Sequence, residues 1–148
     1  MYDKPYRVAG TAVRAVAALS GAELAIANQV YAQPPHSPVA LLVIESATDR
    51  CTPPWQTVQL YDAIGGPKYF VELDDASHLG EYDGSEPAPF SVVEKVTVAF
   101  FERSLGIGAE TAQQLSAAGS VPRVSSFTAR PVAPTIPSPS GPTSCPAD

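Results

Sequence analysis

The most regular feature of the chain is a set of short apolar runs separated by turn-forming residues. Val39-Ala-Leu-Leu-Val-Ile44 is six apolar residues in a row, preceded by Pro38 and followed by Glu45-Ser46. A run with no polar side to give to water predicts a central strand of a parallel sheet, covered on both faces. Val13-Arg-Ala-Val-Ala-Ala-Leu19, stopped by Ser20-Gly21, predicts another strand buried on both faces, although its alanines also permit a helix. Lys68-Tyr-Phe-Val-Glu-Leu73 predicts a third. Between the last two named in chain order, Pro53-Pro54 supply a helix start. Trp55, Val58, Leu60, Tyr61 and Ile64 then recur three to four apart, and Gly65-Gly66 end the pattern.

Beyond the third strand, residues 74 to 89 are acidic and polar and predict a loop. The longest helical pattern follows, with Val92, Val93, Val96, Phe100, Phe101 and Leu105 on one side, Glu94, Lys95, Glu102 and Arg103 on the other, and Gly106 as the stop. Ala109 to Ala118, closed by Gly119, predicts a short helix, and Val121 to Thr128 an extended segment lying on the domain. Ala22 to Gln33 is mixed, and Pro34-Pro35-His36-Ser37-Pro38 reads as a loop in which His36 is a surface residue. Strands alternating with helices place the chain in the α/β class, with a small, mostly parallel sheet.

Composition changes this picture at one end. Of sixteen prolines in 148 residues, seven fall after position 120 (Pro122, Pro131, Pro134, Pro137, Pro139, Pro142 and Pro146). The chain therefore divides into a folded part, residues 1–128, and a Pro/Ser/Thr-rich tail, residues 129–148, which is expected to be disordered. Net charge is -6 and the isoelectric point about 4.8, the wrong sign for nucleic acid or an anionic membrane. No apolar run approaches the ~18 residues that span a bilayer, and the first six residues lack the apolar stretch of a signal peptide. A cytoplasmic location follows by default, with secretion left open. Two cysteines, Cys51 and Cys145, are too few and too widely spaced for a disulfide framework or a zinc site, both of which need more ligands at shorter spacing.

In an open α/β sheet, functional groups gather where strands end at their carboxyl side. After the Val39–Ile44 strand comes Glu45-Ser46-Ala47-Thr48-Asp49-Arg50-Cys51-Thr52-Pro53, and after the Lys68–Leu73 strand comes Asp74-Asp75-Ala76-Ser77-His78. Asp49 and His78 on neighbouring strand ends can meet. A buried carboxylate bonded to one ring nitrogen fixes the imidazole tautomer and stabilises its charged form, which is how a general base for a Ser or Cys nucleophile is made. The plainer alternatives are an Asx-turn or helix N-cap for Asp49 and a local hydrogen bond for His78. Asp74, Asp75, Glu81, Asp83 and Glu86 do not follow a calcium-loop spacing and read as a solvated loop. Trp55, Tyr82 and Phe90 suit either an apolar cleft or the core.

Asp-Arg-Cys-Thr-Pro after a strand, a helix, Pro67-Lys-Tyr-Phe-Val-Glu-Leu73, Ala76-Ser77-His78 and a long amphipathic helix together resemble the C-terminal half of an α/β-hydrolase. The similar subgroup is that of dienelactone-hydrolase-like, chlorophyllase-like and cutinase-like polyester hydrolases. The resemblance covers about residues 8 to 106, with a weaker match to about 128, and implies Asp49 as triad acid, with Glu45 as a substitute, and His78 as triad base. It implies an ester substrate, small or polymeric, and no cofactor or metal.

The departures matter as much. The family carries its nucleophile in G-x-S-x-G before the acid and base, and this chain has no such pentapeptide. Ser20 and Cys51 lack the glycine-flanked elbow and are poor substitutes. Residues 1–128 are about half the roughly 250 that a complete domain often occupies. The expectation is an acid–base fragment, inactive alone and completed by an N-terminal half. The competing expectation is a non-catalytic α/β module that binds a partner protein through an exposed sheet edge.

Overall fold

The computed structural model describes residues 7–8, 11–20, 39–130 and 134–136. Readings made for Ala22–Gln33, for the His36 loop and for Cys145 lie outside these residues. Six strands and four helices are described. β1 (Arg7–Val8) pairs antiparallel with β2 (Thr11–Ala12). The main sheet is built from β3 (Ala15–Leu19), β4 (Ala40–Ser46), β5 (Lys68–Leu73) and β6 (Ser125–Thr128), in the order β3-β4-β5-β6. The first three are mutually parallel, and β6 runs antiparallel to β5. The sheet is therefore mixed and four-stranded. The extended segment expected over Val121–Thr128 supplies the fourth strand, because Leu73 to Phe70 present free backbone groups that Ser125 to Thr128 pair with in register.

Helix α1 (Pro54–Ala63) joins β4 to β5, and Pro54 at its start lacks only an amide that the first turn leaves unpaired anyway. After β5 come α2 (Gly80–Asp83), α3 (Pro87–Leu105) and α4 (Ala112–Gly119). The expected 74–89 loop thus contains a helical turn, and α3 starts five residues before the periodic apolar pattern. Two prolines, Pro87 and Pro89, sit in its first turn, where their missing amides cost nothing. Gly106, at φ 69°, ends α3 in the left-handed conformation and donates its amide to the Glu102 carbonyl. Thr111 and Gln114 close a reciprocal capping box on α4.

Strand periodicity explains the two cores. Ala40, Leu42 and Ile44 of β4 and Val71 and Leu73 of β5 meet Val92, Val93, Val96, Ala99 and Phe100 of α3 and Leu115 of α4. Leu41 and Val43 of β4 and Phe70 of β5 meet Tyr61 of α1 on the opposite face. All seven residues of β4 are buried, as an unbroken apolar run requires. β3 departs from its expectation: Val16 and Leu19 are exposed, and among the described residues β3 pairs only with β4. Past β6, the Arg130 carbonyl accepts a 2.5 Å bond from the Tyr61 hydroxyl, and Ile136 packs on the Leu41 and Phe70 face. These residues of the 129–148 segment lie against the sheet. No helix among the described residues is long and apolar enough to cross a membrane.

Candidate acid–base site

Because β4 and β5 are parallel neighbours, with Ser46 opposite Leu73, the loops that leave them run side by side. Polar contacts stitch the two loops together. The Ala47 amide donates to the Leu73 carbonyl at 2.9 Å. Ser46 Oγ accepts the Ala76 amide at 3.1 Å and donates to the Ala76 carbonyl at 2.8 Å. Thr48 Oγ1 lies 3.2 Å from both Asp75 Oδ1 and the Ala76 carbonyl. The backbone on either side of the candidate pair is thus held before any contact between the two side chains is counted.

Asp49 is 1% exposed, yet both its oxygens are used. Oδ1 accepts the amides of Cys51 (2.7 Å) and Thr52 (3.0 Å), which is the local turn that an Asp in this position favours. Oδ2 lies 2.8 Å from His78 Nδ1. The local turn and the contact with His78 therefore use different oxygens of one carboxylate. A carboxylate only accepts, so Nδ1 carries the hydrogen and the neutral ring offers Nε2 as an acceptor. The His78 side chain keeps about a third of its surface in solvent, 31%, so a reacting group has access to it.

The segment bearing His78 is anchored on its far side. Both carboxylate oxygens of Glu86 accept the Ser77 amide, at 3.0 and 3.2 Å, and Ser77 Oγ accepts the Gly80 amide at 3.1 Å. A Cβ at Gly80 would stand 2.6 Å from Ser77 Oγ and 2.7 Å from Glu86 Cδ, so a larger residue there would displace the two side chains that anchor this turn.

The remaining sequence candidates are placed elsewhere. Glu45 does not reach His78; it is fully buried, with Oε2 accepting from Thr57 Oγ1 and Oε1 accepting the Ser46 amide at 3.1 Å. Burial pushes its carboxyl up to about 9, against the opposing pull of the Thr57 hydrogen bond. Ser20 is not bonded to His78 either; its hydroxyl contacts Glu81 and Tyr82. Cys51 is disulfide-bonded and is no free thiol, so it offers no thiolate nucleophile. For the same reason Asp49, Cys51 and His78, whose ligand atoms lie within 4.8 Å, do not fit a metal: the sulfur is committed and the two other groups face each other. Trp55 is exposed rather than in the core, and Tyr82 is part-buried against it.

Sequence reasoning missed Glu81. Grouped with the solvated acidic residues, it is instead fully buried, while Asp74, Asp75 and Asp83 are exposed. The signal was that Glu81-Tyr82 fall on a helical turn, which puts Glu81 on the inner side. Ser46 and Thr48 were read only as parts of the loop. Compared with known proteins, the chain matches no family model and no curated protein.

Proposed function

We propose that this chain carries the acid and base of a serine-type α/β-hydrolase acting on carboxylic esters, with nucleophile and oxyanion donors supplied by a complementing N-terminal half. The observation that supports this reading above the others is the 2.8 Å contact between buried Asp49 and accessible His78 on adjacent parallel strand ends. In this reading His78 Nε2 takes the proton of a serine hydroxyl as it attacks the acyl carbon, and returns it to the leaving alcohol. Asp49 keeps the ring in the required tautomer and stabilises the imidazolium formed in between. The amides of Cys51 and Thr52 hold the carboxylate still, so little reorganisation accompanies the charge change.

The test is hydrolysis of a short-chain nitrophenyl ester by this chain, and by the chain extended with the residues that its coding frame specifies upstream. The extended protein is expected to contain a G-x-S-x-G elbow and to lose turnover by about 10⁴-fold or more on His78→Ala. The shorter chain is expected to be inactive. An upstream frame without an elbow, or turnover indifferent to His78→Ala, overturns the reading. Turnover by the shorter chain that requires His78 overturns the assignment of the nucleophile to another segment.

One observation favours a second reading, a non-catalytic module. Among the described residues β3 pairs only with β4, and it exposes Val16 and Leu19, a surface that another strand or a partner protein can cover. An upstream frame without the elbow, together with a defined partner lost on Val16→Lys, supports that module.

A further inference from the structure

Ser20, at the end of β3, has φ 43°, a left-handed conformation unusual for a residue with a side chain. Such backbone persists where surrounding contacts over-determine it. Here three do so. The Ser20 amide donates to the Ile44 carbonyl at 2.9 Å, its Oγ donates to Glu81 Oε1 at 3.0 Å, and its Oγ lies 2.7 Å from the Tyr82 hydroxyl. Since the one Ser20 hydrogen goes to Glu81, Tyr82 is the donor to Ser20.

Glu81 is fully buried, and its second oxygen, Oε2, has no hydrogen-bond partner. A buried charge with an unserved oxygen is costly, and the groups around Glu81 make it costlier. Asp49 from the β4 loop and Glu86 ahead of α3 act on it with like charge, whereas Glu45 of β4, pushed up to about 9, still holds its proton where Glu81 titrates. Tyr82 on its own helix and Ser20 on β3 offer hydroxyls, which favour the charged form but less strongly than burial opposes it. His78, when protonated, is the counter-charge of Asp49.

We propose that Glu81 is a positioning residue of the acid–base pair: it holds a proton in the folded site and, through Ser20 and Tyr82, latches the helical turn that follows His78 to the end of the edge strand. The proposal rests on reading Asp49 and His78 as acid and base. Burial is the main reason that the Glu81 carboxyl is pushed up to about 7, so the latch changes charge near neutrality. Ionisation brings a third carboxylate charge against Asp49 and loosens the segment carrying His78.

The experiment follows two NMR signals of this chain through a pH titration, the Glu81 side-chain carboxyl carbon and the downfield His78 Nδ1 proton. The Glu81 carbon is expected to titrate near neutrality. Its midpoint falls by about half a unit or more in Asp49→Asn, because a like charge is removed. In the native chain the His78 proton weakens as Glu81 ionises. In Glu81→Gln, a neutral mimic of the protonated acid, it persists across the same range, whereas in Glu81→Ala it is weak at every pH. A Glu81 midpoint in the ordinary carboxylate range, a midpoint unmoved by Asp49→Asn, or the same His78 response in the native chain and Glu81→Gln overturns the proposal. Should Glu81→Ala fail to fold, the native titration and Glu81→Gln still decide it. Neither signal needs turnover: an ester assay indifferent to His78→Ala ends the hydrolase reading alone, and the latch is judged by the two titrations.

Discussion

The centre and the edge of the sheet are held by different forces. β4 is buried along its whole length, paired on both sides and covered by α1 on one face and α3 on the other. Among the described residues β3 has the same parallel pairing on one side only, leaves Val16 and Leu19 in solvent, and is tied at its end by a small polar cluster. Burial of apolar surface is non-directional and, summed over β4 and β5, large. A polar cluster is directional, weaker in net terms, and sensitive to protonation. The Asp49–His78 contact belongs to the first region, since the two residues follow the two central strands.

The strongest way to break this contrast is to cut the central core. Phe100→Ala is expected to destabilise the fold by about 3–5 kcal/mol in urea titration, and Val16→Ala on the edge by less than about 0.5 kcal/mol. Equal losses would mean that the edge is as well packed as the centre.

Next in size is a pH effect. The folded carboxyls of Glu45 and Glu81 sit at about 9 and about 7, above the ordinary value of 4.5. The folded chain therefore keeps protons that the unfolded chain has released. That contribution is complete below about 4.5 and is lost as pH rises through about 7 and then about 9. Thermal melts at pH 5, 7 and 9 should show falling midpoints, from a change on the order of a few kcal/mol. Midpoints that rise over this range would show that the two acids are ionised in the fold.

Ser46→Ala removes the hydroxyl that joins the two loops and is expected to cost about 1–3 kcal/mol, while weakening the downfield His78 proton. Unchanged stability would show that Thr48 Oγ1, 3.3 Å from the Ala76 amide, suffices alone. The smallest effect sharpens the baseline away from the site. Thr111→Ala breaks the α4 capping box and should cost about 1 kcal/mol, with no change in the His78 signal.

Much of the architecture was legible along the chain. Val39–Ile44 and Lys68–Leu73 announce central strands because a doubly covered strand has no polar face to spare. Pro54 and Gly106 mark helix ends because each suits a backbone position that other residues tolerate poorly. The direction of β6 was not legible, since Ser125-Ser-Phe-Thr128 carries no apolar pattern and becomes a strand only because β5 offers it an open edge. Val13–Leu19 was read as doubly buried because periodicity records the apolar character of a strand and not its number of neighbours.

The site divides along the same line. Asp49 and His78 stand in the sequence as an Asp and a His a few residues past two apolar runs, and strand adjacency is enough to bring those loops together. Which oxygen of Asp49 serves the local turn and which serves the imidazole was decided by the tertiary structure. So was the burial of Glu81 among apparently solvated acids, and its bond to Ser20, 61 residues away. Local patterns record what each segment buries and how its backbone turns. The proton balance of a carboxyl depends on every charge and hydroxyl that folding brings against it, and those arrive from distant parts of the chain.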